Sequence, residues 1–366
     1  MGIIKKVTLQ MIADKLSVSK ALVSKALSGD SAVNEVTREI IWKTAEEEGY
    51  RIKGSKRLGS SSLTGNLAVL MPRAYLDDPE YWGKIIKGID AELAKQTYSM
   101  VLSSIDVTMR VKDGMPAAIT ERKVDGVIVL GQLPEAYTDQ LTKRKLPFVL
   151  VDPDAQHPDM DQVLANNYLG AYQAVQALLA EGHRRLGFAG DAFTTWSFSE
   201  RQRGFAEAIA VHNRRQPADQ AEAVMIEGMG VSGSGMYTQP AFAAELGAEL
   251  HAERRLTALF CANDLIAFDA LNLIGKMGLS CPRDLSVVGF DDLTLAELNQ
   301  PKLTTVSVPK EEIGARAAQL VLGRIGEPER LPELVMLSTS LIKRESTAPP
   351  AGAAVAAAGE TETAEA

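Results

Sequence analysis

Cysteine is nearly absent: Cys261 and Cys281 are the two thiols in 366 residues. So few thiols in so long a chain exclude a disulfide framework and point to a reducing, cytoplasmic setting. Apolar runs are short, none near the roughly 20 residues a bilayer-crossing helix needs, so no membrane partner is expected. The start, "MGIIKKVTLQMIADKL", lacks an apolar block followed by a small-residue cleavage site and does not read as an export signal. Histidine is scarce too. His157, His183, His212 and His251 show no metal-ligand spacing with one another or with the cysteines. No G-x-S-x-G elbow occurs, nor a phosphate loop ending in Gly-Lys-Ser/Thr. The chain therefore nominates no catalytic residue, no metal and no cofactor, and it does not read as an enzyme. One near miss is "GMGVSG", residues 228–233, which matches G-x-G-x-x-G after the strand-like "AVMIE". A dinucleotide site needs a helix opening straight from those glycines. Here "SGMYTQP" intervenes and the next helix starts near Pro240, so a plain loop is expected.

What is present is a charge asymmetry. The net charge is −8, but residues 1–60 carry 11 Lys+Arg against 7 Asp+Glu, leaving 28 against 40 for the remainder. A basic head on an acidic body fits a chain in which one domain alone meets phosphate. That head reads as three short helices. Thr8 can cap "LQMIADKL", Ser19 can cap "KALVSKAL" and Asn34 can cap "EVTREIIWKTAEEEG". The first two are separated by a tight turn at Val18, and Ala13 is small where they would cross. In "SKALVSKALSGD", Ser19–Asp30, the apolar Leu22, Val23, Ala26 and Leu27 share one face and Lys20, Ser24, Lys25 and Ser28 the other. "RIKGSKRLGSSSLTG", residues 51–65, is rich in Ser, Gly and positive charge and reads as a linker.

From Asn66 the texture changes. Apolar runs such as "LAVLM", "VDGVIVLG", "PFVLVD", "RLGFAG", "TALFCAND" and "LSVVGFDD" alternate with amphipathic stretches of about a dozen residues. This is the pattern of doubly wound parallel sheets with both faces covered by helices. A body of that length divides into two α/β lobes, with ligands at the carboxyl ends of strands between them. Asp152, Asn263 and Asp291 stand at such ends, and Arg201 in "SERQRGF" begins a helix of the second lobe. Taken singly, Asp and Asn at these places cap helices. All four in equivalent places favour cleft contacts, and carboxylate, amide and guanidinium together suit the paired hydroxyls of a sugar. Trp196 and Phe198, and Tyr81 and Trp82, can stack on a pyranose or pack in the core, and both readings stand. The tail, "APPAGAAVAAAGETETAEA", is low in complexity and expected to be disordered.

Several stretches together resemble the lactose-repressor (LacI) family of bacterial transcription regulators, over residues 7 to about 346. They are "VTLQMIADKLSVSKALVSKALSGDSAVNEVTREIIWKTAEEEGY", "LLAEGHRRLGFAG", "SERQRGF", "CANDLIAFDAL" and "LSVVGFDDLTLAELNQPKLTTV". The resemblance implies a small all-α helix-turn-helix headpiece (1–50), a hinge (51–65) and a two-lobed periplasmic-binding-protein-like α/β core (66–346) ahead of a tail (347–366). Lobe 1 is expected over about 66–165 and 294–325, lobe 2 over about 166–293 and 326–346. The implied function is a DNA-binding regulator, most simply a repressor, that binds a near-palindromic operator in double-stranded DNA as a homodimer. Its affinity would be set by a small-molecule effector, a sugar or sugar derivative. Lys20 and Ala21 fall in the base-reading slots of the recognition helix, with Ser24 and Lys25 one turn later and Thr8, Ser19 and Asn34 near phosphate. Asp152, Trp196, Arg201, Asn263 and Asp291 are the expected effector contacts.

The chain also departs from the family pattern. Lys25 stands where many relatives have Arg, and lacks the planar fork. In the hinge Gly59 takes the slot of the minor-groove leucine, with Leu58 one residue early, Lys56 in place of a usual alanine, and Gly54 and Gly59 weakening a helix. Gly-Met-Gly replaces an effector-stacking aromatic after "AVMIE". The tail lacks the leucine repeat of tetrameric relatives, so a dimer held by the core is expected. A sugar-transport protein would need an export signal and no basic head.

Overall fold

The computed structural model describes residues 7–28, 33–48, 50, 63–154, 157–191, 195–226, 229–232, 235–238 and 240–351. The hinge residues Gly54, Lys56, Leu58 and Gly59 and the tail from residue 352 onward lie outside the described residues. The chain forms two compact units, Met1–Asn66 and Leu67–Ala366.

The first unit contains the helices Leu9–Leu16, Lys20–Ser28 and Glu35–Glu47. Each begins on a side-chain cap, because the first N–H groups of a helix have no partner within it. Thr8 Oγ1 accepts from Met11 N (3.4 Å), Ser19 Oγ from Leu22 N (3.1 Å) and Asn34 Oδ1 from Val36 N (2.9 Å). The turn between the first two helices is made by Ser17 in the left-handed region (φ 54°), and Val18 N returns to Ala13 O at 3.0 Å. Ile12, Ala13, Val23, Ala26, Leu27, Val33, Ile41 and Ala45 close a small core, and Trp42 Nε1 donates to Ala26 O at 3.2 Å.

The second unit is built on two six-stranded sheets. The first runs in the order Leu334–Leu337, Asp161–Ala165, Phe148–Val151, Gly126–Leu130, Asn66–Pro72, Ser99–Ile105. The second runs Ser340–Ile342, Thr304–Ser307, Ser286–Asp291, Ala258–Cys261, Arg185–Ala189, Glu222–Ile226. Within the second, only Ser340–Ile342 pairs antiparallel, to Thr304–Ser307; the other pairs are parallel. Gly126–Leu130 and Ser286–Asp291 are buried along their whole length, as strands covered on both faces require.

The chain passes between the sheets three times, after Ala165, after Ser307 and after Leu337. This corrects the expected lobe limits. Residues 294–307 belong with the second lobe because Thr304–Ser307 pairs with Ser286–Asp291. Residues 326–337 belong with the first because Leu334–Leu337 pairs with Asp161–Ala165. Neither edge carries a hydrophobic signature that says which sheet it joins. Helix Lys310–Gly326 packs on the first sheet and against helix Lys84–Lys95. The two helices meet backbone to backbone: a Cβ on Gly88 would lie 1.9 Å from Glu311 O, and one on Gly314 would lie 2.0 Å from Ile85 O.

Two further expectations are revised. Met229–Ser232 and Gly235–Thr238 pair as antiparallel strands, so residues 229–232 are not a plain loop. The expected tail limit at 347 is too early. Thr347 is buried, and Ala348 is held by Ser286, whose Oγ donates to Ala348 O (3.0 Å), because residues 346–348 run beside strand Ser286–Asp291.

Candidate functional site

A cleft of about 650 Å³ opens between the lobes at the carboxyl ends of the strands, where parallel α/β sheets leave their free strand ends. Asp152 directly follows strand Phe148–Val151, Asp291 ends strand Ser286–Asp291, and Asn263 lies two residues beyond Ala258–Cys261. Arg201 sits in the second turn of helix Trp196–Arg215, which starts five residues before it, where Thr195 Oγ1 accepts from Phe198 N at 3.1 Å. Asp152, Arg201, Asn263 and Asp291 all line the cleft, the first from lobe 1 and the others from lobe 2. Trp196 does not line it. Phe198, two residues on, does, because the helical turn carries the tryptophan to another face.

Both aspartates are held by unusual backbone, Asp152 at φ 50° and Asp291 at φ 110°. Positive φ on a residue with a side chain costs on the order of 1–3 kcal/mol and clusters at ligand-binding sites. Arg201 is 2% exposed. Its Nε donates to Asn167 Oδ1 (2.9 Å), its Nη1 to Ala262 O (2.6 Å), and its Nη2 lies 3.2 Å from Asp291 Oδ1. The guanidinium also covers the Phe290 ring at 3.8 Å. Tyr81 OH donates to Asp152 Oδ2 at 3.1 Å, while Asp152 Oδ1 and Asp291 Oδ1 are shielded from solvent without a hydrogen bond. Burial pushes the carboxyls of Asp152 and Asp291 above the usual carboxylate range, and attraction to Arg201 opposes it. Asn263 does cap a helix: its Oδ1 accepts from Ile266 N at 2.9 Å. No capping hydrogen bond is formed by Asp152 or Asp291 among the described residues.

Tyr75 stacks on Trp82 (4.4 Å between centroids, 5° between planes), and Tyr81 meets Trp82 edge-on at 5.0 Å. The two readings of Tyr81 and Trp82 therefore merge: both pack together and both line the cleft.

Sequence reasoning missed several neighbours. Asp264, next to Asn263, is fully buried; its Oδ2 accepts from Leu293 N (2.7 Å) and its Oδ1 from Thr305 Oγ1 (2.5 Å). Burial and the nearby Asp291 raise it to about 7. Lys310 is buried, donates to Asp291 O, and lies 5.8 Å over the Tyr81 ring. Glu80, from lobe 1, accepts on Oε2 from Thr294 N (3.1 Å) and Thr294 Oγ1 (2.7 Å) of lobe 2, and from Lys84 Nζ (3.0 Å). These bonds hold its carboxyl down at about 2. The acid directly after Asn263 in "CAND" was a usable signal for Asp264; nothing local marks Lys310 or Glu80.

In the first unit, Lys20, Ala21, Ser24 and Lys25 are all exposed on helix Lys20–Ser28, and Thr8, Ser19 and Asn34 are exposed at helix starts. Leu22 is half-buried and Val23, Ala26 and Leu27 are buried, so the mixed face divides as its spacing predicts.

Residues 175–347 match the model of the periplasmic binding protein-like domain. The HTH-type transcriptional repressor PurR of Aliivibrio salmonicida is 26% identical over 341 residues, 93% of this chain and 98% of its own. PurR of Escherichia fergusonii is 27% identical over 344 residues, 93% and 97% of the two chains. Among solved structures, a transcriptional regulator CelR–cellobiose complex aligns with a TM-score of 0.61 at 25% identity, covering 93% of this chain and 99% of that one. A LacI family transcriptional regulator from Enterococcus faecium with bound ribose aligns at 0.62 and 27%, covering 78% and 99%. The proteins it resembles over nearly its whole length regulate transcription and are not enzymes, and the chain is similar to the LacI family of transcriptional regulators.

Proposed function

We propose that this regulator binds a near-palindromic operator in double-stranded DNA as a homodimer, in the cytoplasm, and that a carbohydrate effector in the core cleft sets its operator affinity. The observation that carries the effector half is the meeting of Asp152 from lobe 1 with Arg201, Asn263 and Asp291 from lobe 2 in one cleft. A ligand that bridges groups from both lobes favours one lobe arrangement, and such differential binding is what allows an effector to act at a distance. A shielded carboxylate oxygen without a hydrogen bond, Asp152 Oδ1, and the amide of Asn263 suit hydroxyl groups. Two relatives were solved with cellobiose and ribose, which supports the same ligand class.

The DNA half rests on the exposed polar face of the second headpiece helix. Lys20 and Ala21 at its start and Ser24 and Lys25 one turn on would enter the major groove, with Thr8, Ser19 and Asn34 placing helix starts against phosphate. Leu58 would serve as the minor-groove wedge. The test has two arms on the full-length protein. Operators are selected from random duplexes and titrated at fixed salt, and melting is followed against a carbohydrate panel, since a ligand bound only by the native state raises the melting temperature. A selected palindrome and a sugar that both raises melting and changes operator affinity are the expected results. Failure to select any site, or a sugar that raises melting without altering DNA binding, would overturn the corresponding half.

A further inference from the structure

We infer that the strand-start edge of lobe 1 is a second DNA-binding surface, which holds backbone phosphates of the duplex that the first unit reads. The inference rests on the DNA reading above and extends it to the core.

Parallel strands bring their starts to one edge. Leu67 pairs with Gly126 and Val127 with Phe148, so strands Asn66–Pro72, Gly126–Leu130 and Phe148–Val151 begin side by side. The linker, residues 51–65, delivers the chain to the first of them. The segments ahead of the other two, residues 121–125 and 143–147, read "ERKVD" and "KRKLP". They set Arg122, Lys123, Lys143, Arg144 and Lys145 against Glu121 and Asp125, and all of these cations are exposed. Lys123 pairs with Glu121 at 2.6 Å, and Arg144 Nη1 donates to Gln140 O at 3.2 Å. Arg122, Lys143 and Lys145 make no ion pair among the described residues. This stands out against the rest of the core, where residues 61–366 carry 28 Lys+Arg against 40 Asp+Glu. Beyond the opposite ends of these strands, Asp77, Asp78, Glu80 and Asp152 line the cleft. Lobe 1 is therefore positive at the edge where the linker arrives and negative where the cleft opens.

The backbone adds an independent observation. Arg122 (φ 54°) and Lys145 (φ 53°) both lie in the left-handed region. Each ends a helix in the same way. Arg122 N donates to Ile119 O and Lys123 N to Ala118 O, while Lys145 N donates to Thr142 O and Leu146 N to Leu141 O. Glycine is the usual residue at this position, because it takes positive φ without steric cost. Long cations at two neighbouring strand starts put charge where the turn alone asks for glycine. Strained backbone of this kind collects at functional surfaces. Duplex DNA is the polyanion that fits. The linker "RIKGSKRLGSSSLTG" continues the same charge, and fully extended it spans at most about 50 Å. A duplex held by the first unit can thus present flanking phosphates to this edge. Its row of charges, one per about 1.7 Å, binds exposed cations without a pocket.

The test is fluorescence-anisotropy titration of the full-length protein over a salt series, with a selected operator and with a random duplex of about 40 base pairs. Arg122→Gly with Lys145→Gly removes two cations and relaxes both turns. Affinity for both duplexes is expected to fall roughly five- to fiftyfold at about 0.1 M salt, with log affinity on log salt flatter by up to about 2. The ratio of operator to random affinity should stay the same, and the melting temperature should equal or exceed that of the parent. Arg214→Gln with Arg254→Gln removes the same charge from side chains 63% and 74% exposed elsewhere on the core, and should leave the salt slope unchanged. Unchanged affinity and slope in the edge variant would overturn this inference and leave the DNA reading standing. So would an equal loss in the control, which would trace the effect to net charge, or a loss accompanied by lower melting, which would trace it to folding. A parent protein that binds neither duplex would overturn the DNA reading, and this inference with it.

Discussion

Arg201→Ala should cost the protein more stability than any other single change in the cleft, and the cost should depend on pH. The side chain is 2% exposed and its guanidinium is held by Asn167, the Ala262 carbonyl, Asp291 and the Phe290 ring. Its removal leaves Asp291 with Lys310 as its nearest remaining cation and leaves Asp152 without the attraction that now opposes its burial. Breaking a buried ion pair from one side costs about 3–5 kcal/mol. The carboxyls of both aspartates already titrate above their ordinary range because burial disfavours their charge. Between the unfolded value, about 3.9, and the raised folded value, the native state binds more protons than the unfolded state. Stability therefore falls as pH rises through that window. Without Arg201 both folded values rise further and the window widens upward. The deficit of the variant should reach about 3–5 kcal/mol at pH 8 and be smaller at pH 5, where the carboxyls are closer to neutral and need no counter-charge. Urea unfolding of both proteins at the two pH values measures it. A deficit below about 1 kcal/mol, or one that is equal or larger at pH 5, would show that Arg201 is not the counter-charge of the site. Effector response in the same variant should weaken roughly ten- to a hundredfold, with operator affinity in the absence of effector nearly unchanged.

Lys25→Ala should cost about 1–3 kcal/mol on a selected operator and relax discrimination at one base pair; fluorescence anisotropy at fixed salt checks it, and unchanged affinity and selectivity would remove this helix as the reader. Glu80→Gln should weaken effector binding about three- to fivefold, because the charged hydrogen bonds to Thr294 join the lobes; the side chain is 43% exposed, so solvent screening limits them to about 1 kcal/mol or less. The carboxyl is held at about 2, below its unfolded value, so this contribution is present above the unfolded value and lost as pH falls through about 2; effector affinity equal to that of the parent at pH 7 would refute the link. Deleting residues 352–366 should leave a dimer by sedimentation, since the stretch contains no leucine; a tetramer that the deletion dissolves would overturn that assignment.

The headpiece was legible residue by residue because its cues are local. A cap, a left-handed turn and an apolar face act within one or two helical turns, so Thr8, Ser19, Asn34 and the split of Leu22, Val23, Ala26 and Leu27 from Lys20, Ser24 and Lys25 followed from spacing alone. The doubly wound character of the core was legible for a related reason: a strand covered on both faces must be apolar throughout, as Gly126–Leu130 and Ser286–Asp291 are. Lobe membership was not. Thr304–Ser307 and Leu334–Leu337 lie near crossings, and a four-residue edge carries no local mark of the sheet that will accept its hydrogen bonds. Only the pairing decides.

The cleft shows the same division one level up. Asp152, Asn263 and Asp291 could be found because a strand end is a place in the sequence, and parallel topology gathers strand ends into one place in space. What those residues do to one another was not readable. Arg201 was expected as a donor to the ligand, yet its N–H groups reach Asn167, Ala262 and the neighbourhood of Asp291 first, so its first role is to hold the acceptors a ligand must satisfy. Lys310 reaches Asp291 across the second crossing, and Glu80 reaches Thr294 from the other lobe, 214 residues away. Contacts of that kind join the lobes, and they depend on how the two sheets are set against each other. The positions of the recognising groups are thus fixed by local rules, while the strength of their response to a ligand is fixed by pairs that no local pattern brings together. A substitution at a strand end should therefore alter which ligand binds, and one at Glu80 or Lys310 how far its binding moves the lobes.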